Sequence, residues 1–295
     1  MNIVGLRNIW FLISGGLTVA SIVAVAILGL NFGIDFTGGS LMEVAFETET
    51  SVDQVRSALD QAGYPSARVQ PSNEGDYLIR LEPIDEQEHQ AALESLKQRL
   101  GEAEELRFDM IGPVIGNELR SKALWAIGFA LLLIMTYIAW AFRKVSEPVA
   151  SWKYGLLTIV AATHDLIIPI GVFAVLGHVL GYQIDTAFVA ALLTILGYSI
   201  NDTIVVFDRT RENLTRLSTS ETFESVVNCS INQTLTRSVN TSITTLLALL
   251  AVFFFGGETI QHFALALIIG ILCGTYSSIF LASPLLVSWE RFGKK

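Results

Sequence analysis

The chain has 295 residues, of which 52% are hydrophobic and 16% are charged, whereas about 25% of the residues of an ordinary soluble domain are charged. The net charge of −9 is concentrated in one segment, because residues 31–121 contain 18 Asp and Glu against 7 Lys and Arg. This acidic balance argues against a nucleic acid as the partner. The only cysteines, Cys229 and Cys273, fall in a polar and an apolar segment, which argues against a disulfide between them.

Six apolar stretches are long enough to cross a membrane, which takes about 20 residues. They are Ile9–Leu30, Ala123–Phe142, Gly155–Leu180, Ile184–Phe207, Val239–Gly256 and Phe263–Val287. The first stretch could instead be a signal peptide, because Ala24-Val25-Ala26 is typical of a cleavage site. Its apolar character continues to Leu30, and this length favours a helix that is not cleaved.

Basic residues predict the orientation of these six spans. They occur before the first span, between the second and third, between the fourth and fifth, and after the sixth: Arg7, Arg143, Lys144, Lys153, Arg209, Arg211, Arg216, Arg237, Arg291, Lys294 and Lys295. The connections 181–183 and 257–262 contain no Lys or Arg. By the positive-inside rule, both termini are predicted to be cytoplasmic and residues 31–121 extracytoplasmic.

The sequence therefore predicts a polytopic membrane protein that consists of five segments. They are the N-terminus with the first span (1–30), the outside domain (31–121), the second to fourth spans (122–207), a cytoplasmic amphipathic segment (208–238), and the last two spans with a cytoplasmic tail (239–295). In the amphipathic segment, Ser218-Thr219-Ser220-Glu221 is typical of a capping box. The apolar residues that follow predict a separate helix on the cytoplasmic surface or against a partner.

The outside domain is predicted to have the order βαββαβ. Strands are predicted at Leu41–Phe46, Arg68–Gln70, Tyr77–Leu81 and Leu106–Met110, and helices at Val52–Ala62 and Glu86–Leu100. This order is typical of a ferredoxin-like α+β fold. His89 lies alone on a polar helix and is predicted to be a solvated surface residue. Because the domain has no phosphate loop and no cluster of His or Cys, we expect it to bind or to act as a lever, without a cofactor.

Ionisable residues within the spans are functional-site candidates, because a charge inside a bilayer is costly. Asp202 in the fourth span is four residues from Tyr198, which places both on one helix face, and Asn201 is its neighbour. We expect Tyr198 and Asn201 to take part in a proton relay with Asp202. Arg237 starts the fifth span within one helical turn of the depth of Asp202. One hypothesis is a proton switch, in which protonated Asp202 releases Arg237 and deprotonation recaptures it. The alternatives are a static ion pair, or an arginine that snorkels to the interface.

A second candidate is the pair His164-Asp165 near the middle of the third span. A metal site is disfavoured, because adjacent helical residues point about 100° apart and no third ligand has ligand spacing. Polar packing and a second proton-relay element remain as interpretations.

Small residues at four-residue spacing predict where the spans approach one another closely. The sixth span carries such a stripe: Gly270, Gly274, Ser278 and Ala282. Gly15 and Gly16 are expected to play the same role in the first span.

Four passages resemble the SecF family of bacterial protein-export membrane proteins, in the RND superfamily. They are Gly33-Ile34-Asp35-Phe36-Thr37-Gly38-Gly39 after the first span, His164-Asp165, the string from Gly197 through Asn201 and Asp202 to Asp208 and Arg209, and Gly274-Thr275-Tyr276-Ser277-Ser278-Ile279-Phe280. The string in the fourth span is very specific, and the resemblance covers nearly the whole chain.

The resemblance implies a six-span RND-type half bundle that pairs with SecD, which would supply the other pseudo-symmetric half. It also implies action beside the SecYEG channel and the SecA motor, where the proton gradient helps preproteins to complete translocation. By this likeness Asp202 is the proton carrier and Arg237 its charge partner.

Three other functions are compatible with such a membrane protein. A half-unit of a proton-coupled RND small-molecule exporter would normally have a larger outside region with a substrate pocket. An intramembrane hydrolase would need facing aspartates, whereas Asp165 and Asp202 differ in depth by several residues. A sensor with an outside ligand domain would not depend on protons.

Overall fold

The structure is a computed structural model that describes residues 1–48, 50–72, 76–143, 149–216 and 221–292. The basic residues Lys144, Lys294 and Lys295 lie outside the described residues, as do the first three residues of the predicted capping box at 218–221. In chain order the elements are α1 (Arg7–Leu28), α2 (Ile34–Thr37), β1 (Gly39–Phe46), α3 (Val52–Gln61), β2 (Arg68–Pro71), β3 (Tyr77–Leu81), α4 (Glu86–Leu100), β4 (Ala103–Ile111), α5 (Pro113–Ala141), α6 (Ser151–Val179), α7 (Thr186–Arg216), α8 (Phe223–Phe255), α9 (Glu258–Ser277), a π-helical segment (Ser278–Ala282) and α10 (Ser283–Phe292).

The chain divides into two compact units. A helical unit comprises residues 1–30, 125–182 and 187–295, and a sheet unit comprises residues 31–124 and 183–186. Within the described residues, six helices are long and apolar enough to cross a membrane: α1, α5, α6, α7, α8 and the continuous α9–π–α10. The chain is therefore a multi-pass membrane protein with a six-span bundle and an inserted α+β domain.

The third, fourth and sixth spans form the centre of the helical unit. About half of the residues in their most apolar windows are buried (56%, 50% and 56%), against 11%, 6% and 11% for the first, second and fifth spans. The central spans approach closely at glycines. A Cβ at Gly270 would lie 2.2 Å from the side chain of Ile195, and one at Gly171 would lie 2.4 Å from Cβ of Ser21.

The close approach that was predicted for the first span at Gly15 and Gly16 is wrong. A Cβ at either position would have no atom within 4 Å. The first span packs through Ser21 against Gly171 instead. Consecutive glycines occupy different sides of a helix, so their presence alone did not indicate which face packs.

The segment that was predicted as a separate surface helix is the first part of α8. This helix has 33 residues, hence a length of about 50 Å at 1.5 Å per residue, which exceeds the ~30 Å hydrocarbon core. Thr222 caps it by accepting a hydrogen bond from the backbone N–H of Ser225. No Gly or Pro interrupts residues 223–255, so nothing in the sequence ends the helix at the membrane surface.

The sheet unit contains a four-stranded antiparallel sheet in the order β2-β3-β1-β4. This is the ferredoxin-like arrangement that the order of elements predicted. Its core comprises buried residues of the sheet and of α3 and α4, among them Met42, Val44, Leu59, Ile79 and Leu96.

The prediction that His89 is a solvated surface residue is wrong. Its side chain is 3% exposed and stacks on Phe108 with ring centroids 3.7 Å apart. The ring nitrogens lie 2.6 Å from a carboxylate oxygen of Glu105 and 3.4 Å from one of Glu86. His89 belongs to the buried face of α4 with Ala92, Leu93 and Leu96. That helical spacing was visible in the sequence and outweighs the polar character of the residue itself.

We expect the substitution His89→Ala to destabilise the sheet unit by about 2–4 kcal/mol. It removes a stacked ring and leaves the Glu105 carboxylate without its closest partner. Hydrogen exchange at the backbone amides of α4 and β4 would measure the change. Gln98→Ala, at an exposed position of the same helix, is the control and should change stability by less than about 0.5 kcal/mol. Equal protection in wild type and His89→Ala would contradict the structural role.

Candidate functional site: two buried carboxylates in the bundle

Asp165 lies on α6 at the centre of the helical unit and is 0% exposed. One of its carboxylate oxygens is 2.8 Å from Nδ1 of His164. The other accepts hydrogen bonds from Ser199 on α7, at 2.5 Å, and from Ser277 on α9, at 2.6 Å. The carboxylate therefore joins all three central spans.

Asp202 lies on α7 and is 6% exposed. Its Oδ1 accepts a hydrogen bond from Ser238 on α8, at 2.6 Å, and its Oδ2 accepts one from Ser278 at the start of the π-helical segment, at 3.0 Å. This carboxylate joins the fourth, fifth and sixth spans.

The structure does not pair Arg237 with Asp202. Among the described residues, no ion pair within 4 Å involves either side chain, and Arg237 is exposed. The register of α8 places the next residue, Ser238, against the carboxylate, and consecutive helical side chains point about 100° apart. Arg237 therefore lies beside the residue that contacts Asp202 and does not itself pair with the carboxylate.

Both carboxylates are held mainly by neutral hydroxyl donors. Within the described part of the chain, neither has a Lys or Arg within 4 Å, and the only charged or chargeable partner in contact is His164. A charge in such surroundings is costly, and hydroxyl donors offset part of that cost. A hydroxyl can donate to a carboxylate and can also accept from a carboxylic acid, so the site can accommodate both protonation states.

Two further predicted relay residues lie apart from Asp202. The hydroxyl of Tyr198 is 3.4 Å from those of Ser242 and Thr245 on α8. Asn201 is exposed. The four-residue spacing of Tyr198 and Asp202 therefore did not predict a shared contact.

His164 occupies the other end of the Asp165 cluster. It is 5% exposed and stacks on Tyr276, with ring centroids 6.3 Å apart. Its Nε2 is buried and has no hydrogen-bond partner among the described residues. The hydroxyl of Tyr276 is 3.2 Å from that of Ser14 in the first span, which extends the polar cluster to a fourth helix.

A small residue allows the helices of this site to approach one another. A Cβ at Gly274 would lie 2.7 Å from Cβ of Ser199 and 3.2 Å from its Oγ. The predicted close approach along Gly270 and Gly274 is thus present in the structure, and it brings Ser199 and Ser277 to the same carboxylate.

The glycine-containing passage after the first span lies in the sheet unit, where it contacts Ile184 and Thr186 of the same unit. Both the backbone N–H and the hydroxyl of Thr186 donate to one carboxylate oxygen of Asp35, at 2.8 and 2.6 Å. The N–H of Gly33 donates to the carbonyl of Ile184 at 2.8 Å. Asp35 thus satisfies a free N–H at the start of α7.

Gly38 and Gly39 adopt backbone conformations that favour glycine, with φ of 71° and 136°. A Cβ at Gly38 would lie 2.7 Å from Cα of Pro113. The two glycines therefore allow the chain to turn closely past the start of α5.

The last two residues of the helix-four string, Asp208 and Arg209, lie beyond the buried site. Asp208 forms an ion pair with Arg211 at 3.2 Å. Arg209 lies 2.5 Å from a carboxylate oxygen of Glu212 and donates to Gln233 on α8. Arg209 thus links α7 to α8 through Gln233, whereas Asp208 pairs within α7. Neither residue pairs with Asp202.

The four serines that hold the carboxylates were not identified as site residues from the sequence. Ser199, Ser277 and Ser278 were only part of family-like passages or of a small-residue stripe, and Ser238 carried no prediction of function. The available signal was their position, since Ser199, Ser277 and Ser278 are polar residues within predicted apolar spans and Ser238 directly precedes one. In the described residues no group of three or more His, Cys, Asp or Glu is placed to hold a metal ion.

Comparisons with known proteins identify relatives of the whole chain. The family model described as "Protein export membrane protein SecD/SecF, C-terminal" matches residues 91–292, and "SecD/SecF GG Motif" matches residues 23–50. "Protein translocase subunit SecF" of Thermobaculum terrenum is 48% identical over 99% of this chain and 94% of that protein. The protein of the same name from Sebaldella termitidis is 41% identical over 98% of this chain and 91% of its own length.

A longer relative resembles this chain over part of its own length. "Protein translocase subunit SecDF" of Thermus thermophilus is 41% identical over 89% of this chain and 35% of its own length. The crystal structure of SecDF from that organism, titled a translocon-associated membrane protein, superposes with a TM-score of 0.87 at 37% identity. The match covers 99% of this chain and 39% of that chain.

We expect Gly274→Ala to lower the stability of the helical unit by about 1–3 kcal/mol, the usual cost of overpacking a close contact. The added methyl group would push Ser199 and its helix away from α9. Gly15→Ala is the matched control, because it adds the same group where no atom lies within 4 Å. Thermal unfolding of the purified variants compares the two, and equal unfolding midpoints would contradict the close contact.

Proposed function

The chain belongs to the SecF subunits of the SecD/SecF protein translocase family, and from this premise we propose that it uses the proton gradient to promote preprotein translocation together with SecD. The observation that carries the proposal is the burial of Asp202 among three spans, where serine hydroxyls donate to it and, among the described residues, no Lys or Arg lies within 4 Å. Moving one charge across 100 mV supplies about 2.3 kcal/mol, which is the scale of a conformational bias.

In this proposal Asp202 binds and releases the transported proton, and Asp165 with His164 forms a second buried element of the relay. Ser238 and Ser278 hold Asp202 between the fifth and sixth spans. A change in its protonation therefore changes contacts on two neighbouring helices at once. A transport role of this kind fits a protein that is not an enzyme.

The proposed partner SecD would contact a polar stripe on the exposed side of α8. The stripe comprises Arg237, Asn240, Thr241 and Thr244, all exposed in this chain. Polar side chains at the depth of a bilayer face protein or a water-filled cavity. The fused SecDF relative, in which this chain matches about a third of the length, supports SecD as the protein that covers the stripe.

The proposal also includes the setting and the remaining partners. It places the protein in the bacterial cytoplasmic membrane, with both termini cytoplasmic and residues 31–121 outside, as the basic residues of the short loops indicate. SecYEG, SecA and preproteins would be the other partners. The names of the relatives favour protein translocation over small-molecule export.

We expect Asp202→Asn to abolish the stimulation of preprotein export by the proton gradient, because an amide cannot take up and release a proton. Export into membrane vesicles would be measured with a gradient and after its collapse by an uncoupler. The difference should disappear in Asp202→Asn and persist in Asp60→Asn, which makes the same change at an exposed acid of α3. A gradient response that Asp202→Asn leaves unchanged would remove this residue from the mechanism.

We expect a photo-crosslinking residue at Asn240 to link this chain to SecD in membranes. Asn240 lies in the exposed polar stripe, where a protein neighbour satisfies polar groups that lipid cannot. Leu133 on α5, 68% exposed and apolar, is the matched position for lipid contact. Mass spectrometry of the crosslinked products would identify the neighbour. Linking to SecD from Leu133 but not from Asn240 would contradict the assigned surface.

A further inference from the structure

Two consecutive residues of the sixth span hold the two buried carboxylates. Ser277, the last residue of α9, donates to Asp165, and Ser278, the first residue of the π-helical segment, donates to Asp202. A second connection runs through α7, where Ser199 donates to Asp165 and lies three residues before Asp202. The two acids are thus connected through one peptide unit of the sixth span and through one turn of the fourth.

Each serine of the sixth span has an alternative acceptor. The Oγ of Ser277 is 3.2 Å from the carbonyl oxygen of Gly274, and the Oγ of Ser278 is 3.1 Å from that of Thr275. A hydroxyl has one proton to donate. Its direction therefore depends on whether the neighbouring carboxyl group is an acceptor or is itself a donor.

The backbone at this point is not a regular α-helix. Residues Ser278–Ala282 form a π-helical segment, and the hydroxyl of Ser283 donates to the carbonyl of Ser278 at 2.8 Å. π-helical turns within α-helices are frequent at functional sites. The segment begins at Ser278, the residue that contacts Asp202. A change in the protonation of Asp202 therefore acts on the part of the span whose hydrogen bonds are not α-helical.

We infer that Asp165 and Asp202 bind protons as one coupled pair, and that Ser277 and Ser278 are the positioning residues that transmit the state of one carboxyl group to the other. The inference rests on the proposed function and specifies how its two acids are linked. Two groups that interact by more than about one pKa unit titrate in steps that belong to the pair and not to either residue.

The proton balance of the step is simple. Asp202 takes a proton from a hydronium ion, which is left as water, and its new O–H donates to Oγ of Ser278. Ser278 then turns its own O–H to the carbonyl of Thr275. No other covalent bond forms or breaks, and the reverse sequence returns the proton to a water molecule as hydronium. Ser277 and Ser278 are consecutive residues of one span, so a displacement of the backbone at Ser278 also displaces Ser277, the donor to Asp165.

Other titratable or charged groups face the pair from three helices. Asp165 contacts His164 on its own helix, and Cys273 on α9 lies four residues before its donor Ser277. Tyr276 on α9 stacks on His164. Arg237 on α8 directly precedes Ser238, the donor to Asp202. Among the described residues, α7 contributes to Asp165 only the neutral hydroxyl of Ser199.

Infrared spectroscopy of the carboxylic acid groups tests the coupling directly. The chain would be purified with SecD, placed in liposomes and titrated, and Asp165→Asn and Asp202→Asn would assign the two acid bands. We expect the titration midpoint of Asp202 to move by about one pH unit in Asp165→Asn. Ser277→Ala should move the same midpoint, although Ser277 does not contact Asp202.

Two further variants keep the test decisive. Ser277→Cys retains a weak donor of similar size and should give a smaller shift than Ser277→Ala. Ser288→Ala makes the same change in α10, where the hydroxyl bonds only to the carbonyl of Pro284 among the described contacts, and should leave both bands unchanged.

An Asp202 midpoint that stays within about 0.2 pH units in both Asp165→Asn and Ser277→Ala would overturn the coupling. The readout is independent of export, so the outcome is distinct from a failure of the proposed function. If the two acids titrate independently and gradient-driven export is intact, only the inference of a coupled pair is overturned. If the acids are coupled and export does not respond to the gradient, only the proposed function is overturned.

Discussion

The centre of the helical unit depends on the hydrogen bonds that serine hydroxyls donate to two buried carboxylates. A carboxyl group deep in an apolar bundle needs hydrogen-bond partners in either protonation state, and a hydroxyl serves both states without a charge of its own. Asp165 and Asp202 each draw such donors from two neighbouring helices. The acids therefore fix the positions of the spans around them, and their chemistry and the packing of the bundle are inseparable.

The same interaction explains why the sixth span contains both glycines and serines. Gly274 allows α9 to approach Ser199 closely, and this approach brings Ser277 within hydrogen-bond distance of Asp165. The π-helical segment then begins at Ser278. The contact of Ser277 with Asp165 therefore lies in closely packed α-helix, and the contact of Ser278 with Asp202 lies where the backbone is irregular. A rigid contact next to an adaptable one is suited to a change of state that involves both acids.

The exposed surface of the bundle complements its centre. The first, second and fifth spans bury few of their residues, which is expected of helices that face lipid or a second half bundle. On α8 the exposed side carries Arg237 and a polar stripe, while the buried side carries Ser238. Membership of the SecD/SecF family and the fused SecDF relative support association with SecD. In the proposed function SecD covers this surface of α8, so that one helix connects the partner to the buried acid.

The sequence alone determined the six spans, the ferredoxin-like order of the inserted domain and the identity of both acids, because hydrophobic length, periodicity and the cost of intramembrane charge are local properties. Only the tertiary structure decided which side chains meet. Helix register determined that Ser238, and not Arg237, contacts Asp202, and packing against β4 determined that His89 is buried. A hydrogen bond between helices depends on rotation and depth to within about an ångström, and spacing along one chain segment does not contain that information.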